Sequence, residues 1–282
     1  MLTVKRIMKH LLPPFLHDAL QKLIYKNKVK YTPAWHTIKG GILKGRNIFI
    51  DPDAGEWQKE MIDGTWDAFM FNYIKTLDLQ GKVVYDIGAH IGYYAMTIAL
   101  LADSPGMVYA FEPNRFNVER IGINLSGNKD LAERIRIYEA AVSDRVGTAQ
   151  FYFLRDVESG ASSGSFVSEA HTYYEKKQAY LNSFEIAEVK TYSLDGIAPL
   201  IGNGIRPDII KIDVEGAEGS VLEGARNTLA IYKPLLLIEV HSIYNMLKVC
   251  EILGALNYKI MLLKEESDGR CFLAASCSQI TT

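Results

Sequence analysis

From Gly81 onward the chain alternates short apolar runs with longer segments of helical period. The runs "VVYDI" (83–87), "MVYAFE" (107–112), "IRIYEAAV" (135–142), "DIIKIDV" (208–214) and "LLLIEV" (235–240) are rich in β-branched and aromatic residues and read as strands. Between them "YYAMTIALLA" (93–102), "RFNVERIGINL" (115–125), "AEGSVLEGARNTLA" (217–230) and "SIYNMLKVCEILGAL" (242–256) read as helices. "YKIMLL" (258–263) and "CFLAA" (271–275) look like a closing pair of strands. Near-continuous apolar strands that alternate with helices predict an α/β fold, a doubly wound, mostly parallel sheet covered on both faces.

The pattern is different at two places. Residues 37–80 show a short strand, "NIFI" (47–50), a loop rich in Asp and Gly, and a helix from about Trp66 to Leu77. Before them, residues 1–36 form a basic helical arm interrupted at Pro13 and Pro14. The first thirty residues carry seven Lys or Arg against one Asp. The arm reads first as a segment packed on the domain or on a second subunit. It reads second as a membrane-surface helix, with Leu2, Ile7, Leu11 and Leu12 toward lipid and Lys5, Arg6 and Lys9 toward headgroups. The domain proper then spans 81–282, with 37–80 as a cap segment. It is interrupted at about 151–189 by "RDVESGASSGSF" and "HTYYEKKQAYLNSF", a Ser/Gly-rich and then aromatic insertion. Long insertions of this kind serve as lids or binding loops, so Ser162, Ser163, Tyr173 and Tyr174 become acceptor candidates.

Composition narrows the class only slightly. The 282 residues are 48% hydrophobic and 23% charged, with a net charge of -2. That balance argues against a general nucleic-acid binder, which carries a basic excess. The cysteines, Cys250, Cys271 and Cys277, lack metal-type spacing and are too few for a disulfide framework. No apolar run approaches the ~20 residues of a membrane span. A cytoplasmic protein, peripheral to the membrane if the arm binds lipid, is the expectation.

The chemistry starts at "VVYDIGAHIGYYA". In an open parallel sheet, ligands bind beyond the carboxyl ends of the strands. Here a strand ends at Asp86 and breaks into a turn containing Gly88, His90 and Gly92. The next strand ends at Glu112, placed to accept from the ribose hydroxyls of a nucleoside. The order D-x-G-x-x-x-G is not the G-x-G-x-x-G of dinucleotide sites, and no G-K-[ST] follows. An acid at the start of the turn suits the cationic amino-acid end of S-adenosylmethionine (SAM). His90 fills a turn position that tolerates a left-handed backbone, for which His is an enriched choice, and it reads as a cofactor neighbour rather than a metal ligand.

These stretches, with "FEPNRFNVERIGINL", "EAAVSD", "YSLDGI", "DIIKIDVEGAEGSVLEGA" and "PLLLIEVHS", resemble the FkbM-type SAM-dependent methyltransferases, in order from about Gly64 to Ser242. "KIDVEGAE" is the most specific element. His90 stands where the family usually has Asn, and "GTWD" puts Asp67 where it tends to have Glu. The resemblance implies a class I methyltransferase fold with a seven-stranded sheet whose last strand is antiparallel. It also implies methyl transfer to a hydroxyl of a sugar, glycolipid or natural product. The candidate cofactor contacts are then Asp86, Gly88, Ala89, His90, Gly92, Tyr93, Glu112, Pro113, Asn114, Ala141, Val142 and Asp213. Trp66, Asp67 and Glu215 join the insertion residues on the acceptor side.

Methyl transfer to a hydroxyl needs alignment and loss of a proton. Strand alternation puts Lys211, Asp213 and Glu215 on one face, and Glu239 and His241 on one face of the next strand. His241 is the candidate base by its ordinary pKa. Asp213, Glu239 and His241 could instead hold a divalent cation. Glu215 could simply cap the helix that begins near Gly216, and Lys211 could simply pair with an acid. Two alternatives stand beside the hydroxyl reading: an RNA or protein methyltransferase, and a non-catalytic SAM-binding subunit. Oligomeric state is open.

Overall fold

The computed structural model describes residues 32–154, 165–167 and 184–278. The unit that holds the sheet is Pro33–Thr282. An antiparallel pair comes first, β1 (Ala34–Thr37) with β2 (Asn47–Ile50), followed by helices α1 (Glu56–Asp63) and α2 (Ala68–Ile74). Then β3 (Val83–Ile87), α3 (Tyr93–Ala102), β4 (Met107–Phe111), α4 (Arg115–Ser126), the short α5 (Lys129–Ala132) and β5 (Ile135–Tyr138) complete the first half. A four-stranded sheet follows, from β6 (Ala141–Val142), β7 (Gly147–Leu154), β8 (Phe166–Val167) and β9 (Phe184–Tyr192). After a one-turn α6 (Ala198–Ile201) the second half runs β10 (Ile209–Ile212), α7 (Glu218–Glu223), α8 (Arg226–Tyr232), β11 (Leu235–Val240), α9 (Ile243–Ala255), β12 (Lys259–Glu265) and β13 (Cys271–Ser276).

The large sheet has seven strands in the order β12-β13-β11-β10-β3-β4-β5. β5, β4, β3, β10 and β11 are parallel, and β13 runs antiparallel to both β11 and β12. Successive side chains on a strand point to opposite faces, and the core divides accordingly. Val84, Val108, Ala110, Leu237 and Ala274 pack with α3 and the segment before β3. Tyr85, Ile87, Phe111, Ile210, Ile212 and Ile238 pack into a second cluster with residues of α7, α8 and α9. The sheet is therefore covered on both faces. Helix α3 is buried along nearly all its length, as its lack of a polar face requires.

Several expectations change. The helical arm expected at 1–36 gives way to strand β1 at Ala34, and its residues 1–31 lie outside the described residues. Helix α1 forms where a loop was expected, because Gln58, Met61 and Ile62 make a one-sided buried stripe too short to show as a period. "IRIYEAAV" divides between the two sheets, β5 in the large one and β6 on β9. "AEGSVLEGARNTLA" divides at Gly224, where a Cβ would lie 2.2 Å from the Ser143 carbonyl oxygen. The two ends of the expected insertion are paired strands, Gly147↔Thr191 through Leu154↔Phe184. Ser162, Ser163, Tyr173 and Tyr174 lie outside the described residues. Among the described residues no helix is long and apolar enough to cross a membrane.

Candidate active site

The turn after β3 is built by backbone constraints. Gly88 has φ 79°, and a Cβ on it would sit 1.7 Å from the Asp213 carbonyl oxygen. Only glycine lets the ends of β3 and β10 approach this closely. His90 has φ 52°, the left-handed conformation expected for it. Gly88 and Ala89 N–H groups donate to the Phe111 carbonyl, and the His90 N–H donates to Glu112 Oε2 at 2.8 Å. Glu112 Oε1 accepts from the Asn114 N–H at 2.9 Å and from Asn117 Nδ2 at 3.3 Å. One carboxylate thus locks the two strand-end loops together. A carboxylate offers about four acceptor sites, so roughly one remains for a ligand hydroxyl rather than the two a full ribose clamp would use. Burial pushes Glu112 up to about 7, against the pull of these donors.

A cavity of about 220 Å³ opens over this turn at the carboxyl ends of β3, β4, β10 and β11. Of the expected cofactor contacts, Gly88, Ala89, His90, Tyr93, Glu112, Pro113, Ala141, Val142 and Asp213 line it. Three others do not. Asp86 is fully buried behind the wall and paired with Lys211, which takes the wall position instead. Gly92 precedes α3 and packs toward Ile121. Asn114 caps α4, its side chain accepting from the Phe116 N–H. On the acceptor side Trp66 and Glu215 line the cavity. Asp67 stands behind Tyr94, whose hydroxyl donates to its carboxylate at 2.9 Å. His90 Nε2 is buried without a hydrogen bond, and burial pushes this imidazole down to about 4, so it is neutral.

The second half of the site is a charge cluster. Asp86 and Lys211 are register partners on adjacent parallel strands, which puts both side chains on one face. Lys211 Nζ lies 3.2 Å from Asp86 and 3.4 Å from Asp213, and donates to the Gly88 carbonyl at 2.9 Å. A buried ammonium is tolerated only with such partners. The strand ends at Ile212, so alternation does not carry Glu215 to the shared face. A turn does, with Glu215 itself at φ 53°. Its carboxylate lies 3.4 Å from His241 Nε2.

His241 does not reach the cavity wall. Its side chain is 4% exposed, with Nδ1 2.8 Å from Glu218 Oε1 and Nε2 facing Glu215, Glu239 at 3.5 Å and Asp213 at 3.8 Å. Burial alone would lower its pKa, but Glu215, Glu218 and Asp213 override that and hold it up at about 10. An imidazole so held does not act as a free base on an acceptor; the wall groups are Asp213, Glu215 and Glu239. Burial and Asp213 push Glu239 up to about 8, although Arg270 Nη1 is 2.7 Å away. Burial would also raise Asp213, but Lys211 and His241 bring it below the usual range.

Sequence reasoning missed three participants. Glu218 belongs to "KIDVEGAE" and was within reach, an acid placed to begin a helix. Arg270 comes from the β12–β13 connection, distant in sequence from its partner Glu239, and carries no local signal. Trp57, whose ring lies 5.3 Å from that of His90, belongs to the helix read as loop.

Solved structures that resemble this chain include three of low identity. The FkbM methyltransferase of Methylobacillus flagellatus KT is 20% identical over 69% of this chain, with a TM-score of 0.48; the match spans 43% of that longer chain. A SAM-dependent O-methyltransferase of Thermotoga maritima is 11% identical over 76% of this chain and 66% of its own, with a TM-score of 0.44. Aeropyrum pernix fibrillarin, solved with natively bound SAM, is 12% identical over 71% of this chain and 68% of its own, with a TM-score of 0.41. No curated protein sequence matches. The family described as "Methyltransferase FkbM domain" matches residues 86–260. That match takes in the glycine turn, Glu112 and the whole carboxylate cluster, and it covers more than half of the chain, which therefore belongs to the FkbM methyltransferase family.

Proposed function

We propose that this protein binds SAM in the cavity and transfers its methyl group to a hydroxyl oxygen of a sugar, glycolipid or natural-product acceptor. The observation that carries the reading is the polarity of the cavity, with a nucleoside-type acceptor, Glu112, on one side and Asp213, Glu215 and Glu239 converging on the other. Glu112 holds a ribose hydroxyl. The backbone of Gly88 to His90 lies beneath the methionine portion, and Trp57, Phe111 and Val142 provide apolar walls.

SAM supplies an activated methyl group on a sulfonium. The protein's contribution is in-line placement of acceptor oxygen, methyl carbon and sulfur. With SAM bound, the activated methyl would pass to the acceptor oxygen with the carbon–sulfur pair left on sulfur, and the hydroxyl proton would leave to a wall carboxylate. Glu239, held up near 8, is suited to receive it. His241 supports these carboxylates from behind the wall, so His241→Ala should slow turnover while leaving SAM affinity unchanged.

The acceptor class is tested with methyl-labelled SAM offered to sugars, glycolipids, small polyols, RNA and peptides. The reading expects label in base-stable methyl ethers, and loss of that label in Glu239→Gln. Label confined to RNA bases or peptide nitrogen would replace the hydroxyl reading.

A further inference from the structure

We propose that Asp213, Glu239 and His241 form a site for one divalent transition-metal ion beside the cavity, with Glu218 as its positioning residue. One donor atom from each of the three residues lies within 4.8 Å of the others. Two features of the histidine and one of the backbone beside it make this more than a cluster of acids.

The first is the fixed tautomer. Glu218 is fully buried, and its Oε1 accepts from the Gly216 N–H at 2.8 Å as well as facing His241 Nδ1 at 2.8 Å. Nδ1 therefore carries a hydrogen and donates it. A carboxylate behind a ligating histidine is the usual way of orienting the ring toward a metal and raising its basicity.

The second is what Nε2 faces. With Nδ1–H committed to Glu218, Nε2 is left to face carboxylate oxygens of Glu215, Glu239 and Asp213, at 3.4, 3.5 and 3.8 Å. Without an ion a proton on Nε2 offsets their charge; an ion bound here displaces that proton and takes its place. These separations are long for hydrogen bonds. They are slightly wider than the edges of a coordination shell, where donors about 2.1 Å from one ion are about 3.0–3.4 Å apart, so the side chains close in by a few tenths of an ångström around an ion.

The third is the backbone. Glu215 adopts φ 53°, a left-handed conformation costly for a residue with a Cβ. That turn delivers a further carboxylate to the same point. The nearby cations touch the cluster only from its rim, Lys211 shared between Asp86 and Asp213 and Arg270 between Asp268 and Glu239.

One imidazole with two carboxylates suits Mn²⁺, Fe²⁺ or Zn²⁺ better than Mg²⁺ or Ca²⁺, which favour oxygen alone. An ion here would lower the pKa of a hydroxyl set beside it. That use rests on the hydroxyl-acceptor reading; the binding of the ion does not.

The test therefore omits SAM and acceptor. Mn²⁺ is titrated onto the full-length protein and followed by electron paramagnetic resonance. The expected result is one bound ion with nitrogen coupling from a single imidazole. The coupling is absent in His241→Ala, and affinity falls at least tenfold in Asp213→Asn. Glu218→Gln, with circular dichroism and Tm monitored, weakens binding about 10- to 100-fold. Wild-type protein that binds no Mn²⁺ at millimolar concentration, or binds it without imidazole coupling, overturns the site whatever the variants do. In that case a proton occupies Nε2. An acceptor screen that fails while the coupling is present would count against the hydroxyl reading alone.

Discussion

Glu112 makes cofactor affinity depend on pH in a calculable way. In the empty protein burial holds this carboxyl at about 7. A ribose hydroxyl donates much more strongly to the ionised form, so the bound complex keeps the group ionised to lower pH and binding releases a proton below 7. With full ionisation in the complex, the observed affinity scales with the ionised fraction of the free protein. That fraction is about one-eleventh at pH 6 and about ten-elevenths at pH 8, a rise of about tenfold that levels off above 7. The empty protein responds with the opposite sign. A carboxyl raised above its unfolded value contributes stability below about 4.5 that is lost as pH rises through about 7. The assay is calorimetry with S-adenosylhomocysteine at pH 6, 7 and 8, on wild type and Glu112→Gln. The ligand's own amino group titrates near ~8 in both proteins, so the difference between them is the readout. At pH 8 the variant should bind about 10- to 150-fold more weakly, the value of a lost hydrogen bond to a charged group of about 1.5–3 kcal/mol. The gap should shrink by about tenfold at pH 6. An equal pH slope in both proteins would refute the assignment of Glu112 to the ribose.

Three further outcomes follow from the packing. Gly88→Ala drives a Cβ into the Asp213 carbonyl at a left-handed backbone position; thermal denaturation should show a loss of at least ~2 kcal/mol, and an unchanged Tm would mean that the turn relaxes freely. Lys211→Met leaves Asp86 buried without its cation and should cost about 3–5 kcal/mol in urea unfolding, with much of it recovered by adding Asp86→Leu; equal loss in the single and double variants would deny the pairing. Tyr94→Phe keeps the ring that lines the cavity but removes the donor to Asp67 and should cost about 1–3 kcal/mol of stability with SAM affinity unchanged; a matching fall in affinity would put the Tyr94 hydroxyl or Asp67 in contact with the cofactor.

The inner strands β3, β4, β10 and β11 were legible because their apolar runs are buried on both faces and end at polar turns. The turn geometry was legible for the same kind of reason. His90 among glycines at "GAHIG" called for a left-handed backbone, and its φ of 52° is one. Tertiary approach was not legible. Nothing local shows that Gly224 must make room for Ser143, or that Arg270 returns to Glu239. Alternation was correct as far as Ile212; beyond it a turn, not the strand, brings Asp213 and Glu215 to the same cavity as Lys211. Asp86 shows a further limit. An acid at a strand end signals a ligand contact, but the strand register gave this one to Lys211. The small sheet was hidden because β9, "FEIAEVKTY", is mostly half-exposed and has weak apolar contrast.

A crystal structure with S-adenosylhomocysteine is the decisive experiment. The ribose should sit on Glu112, the amino-acid portion over Gly88 to His90, and the sulfur should be directed toward Asp213 and Glu239. A nucleoside bound away from Glu112, or a sulfur turned from the carboxylates, would contradict that placement.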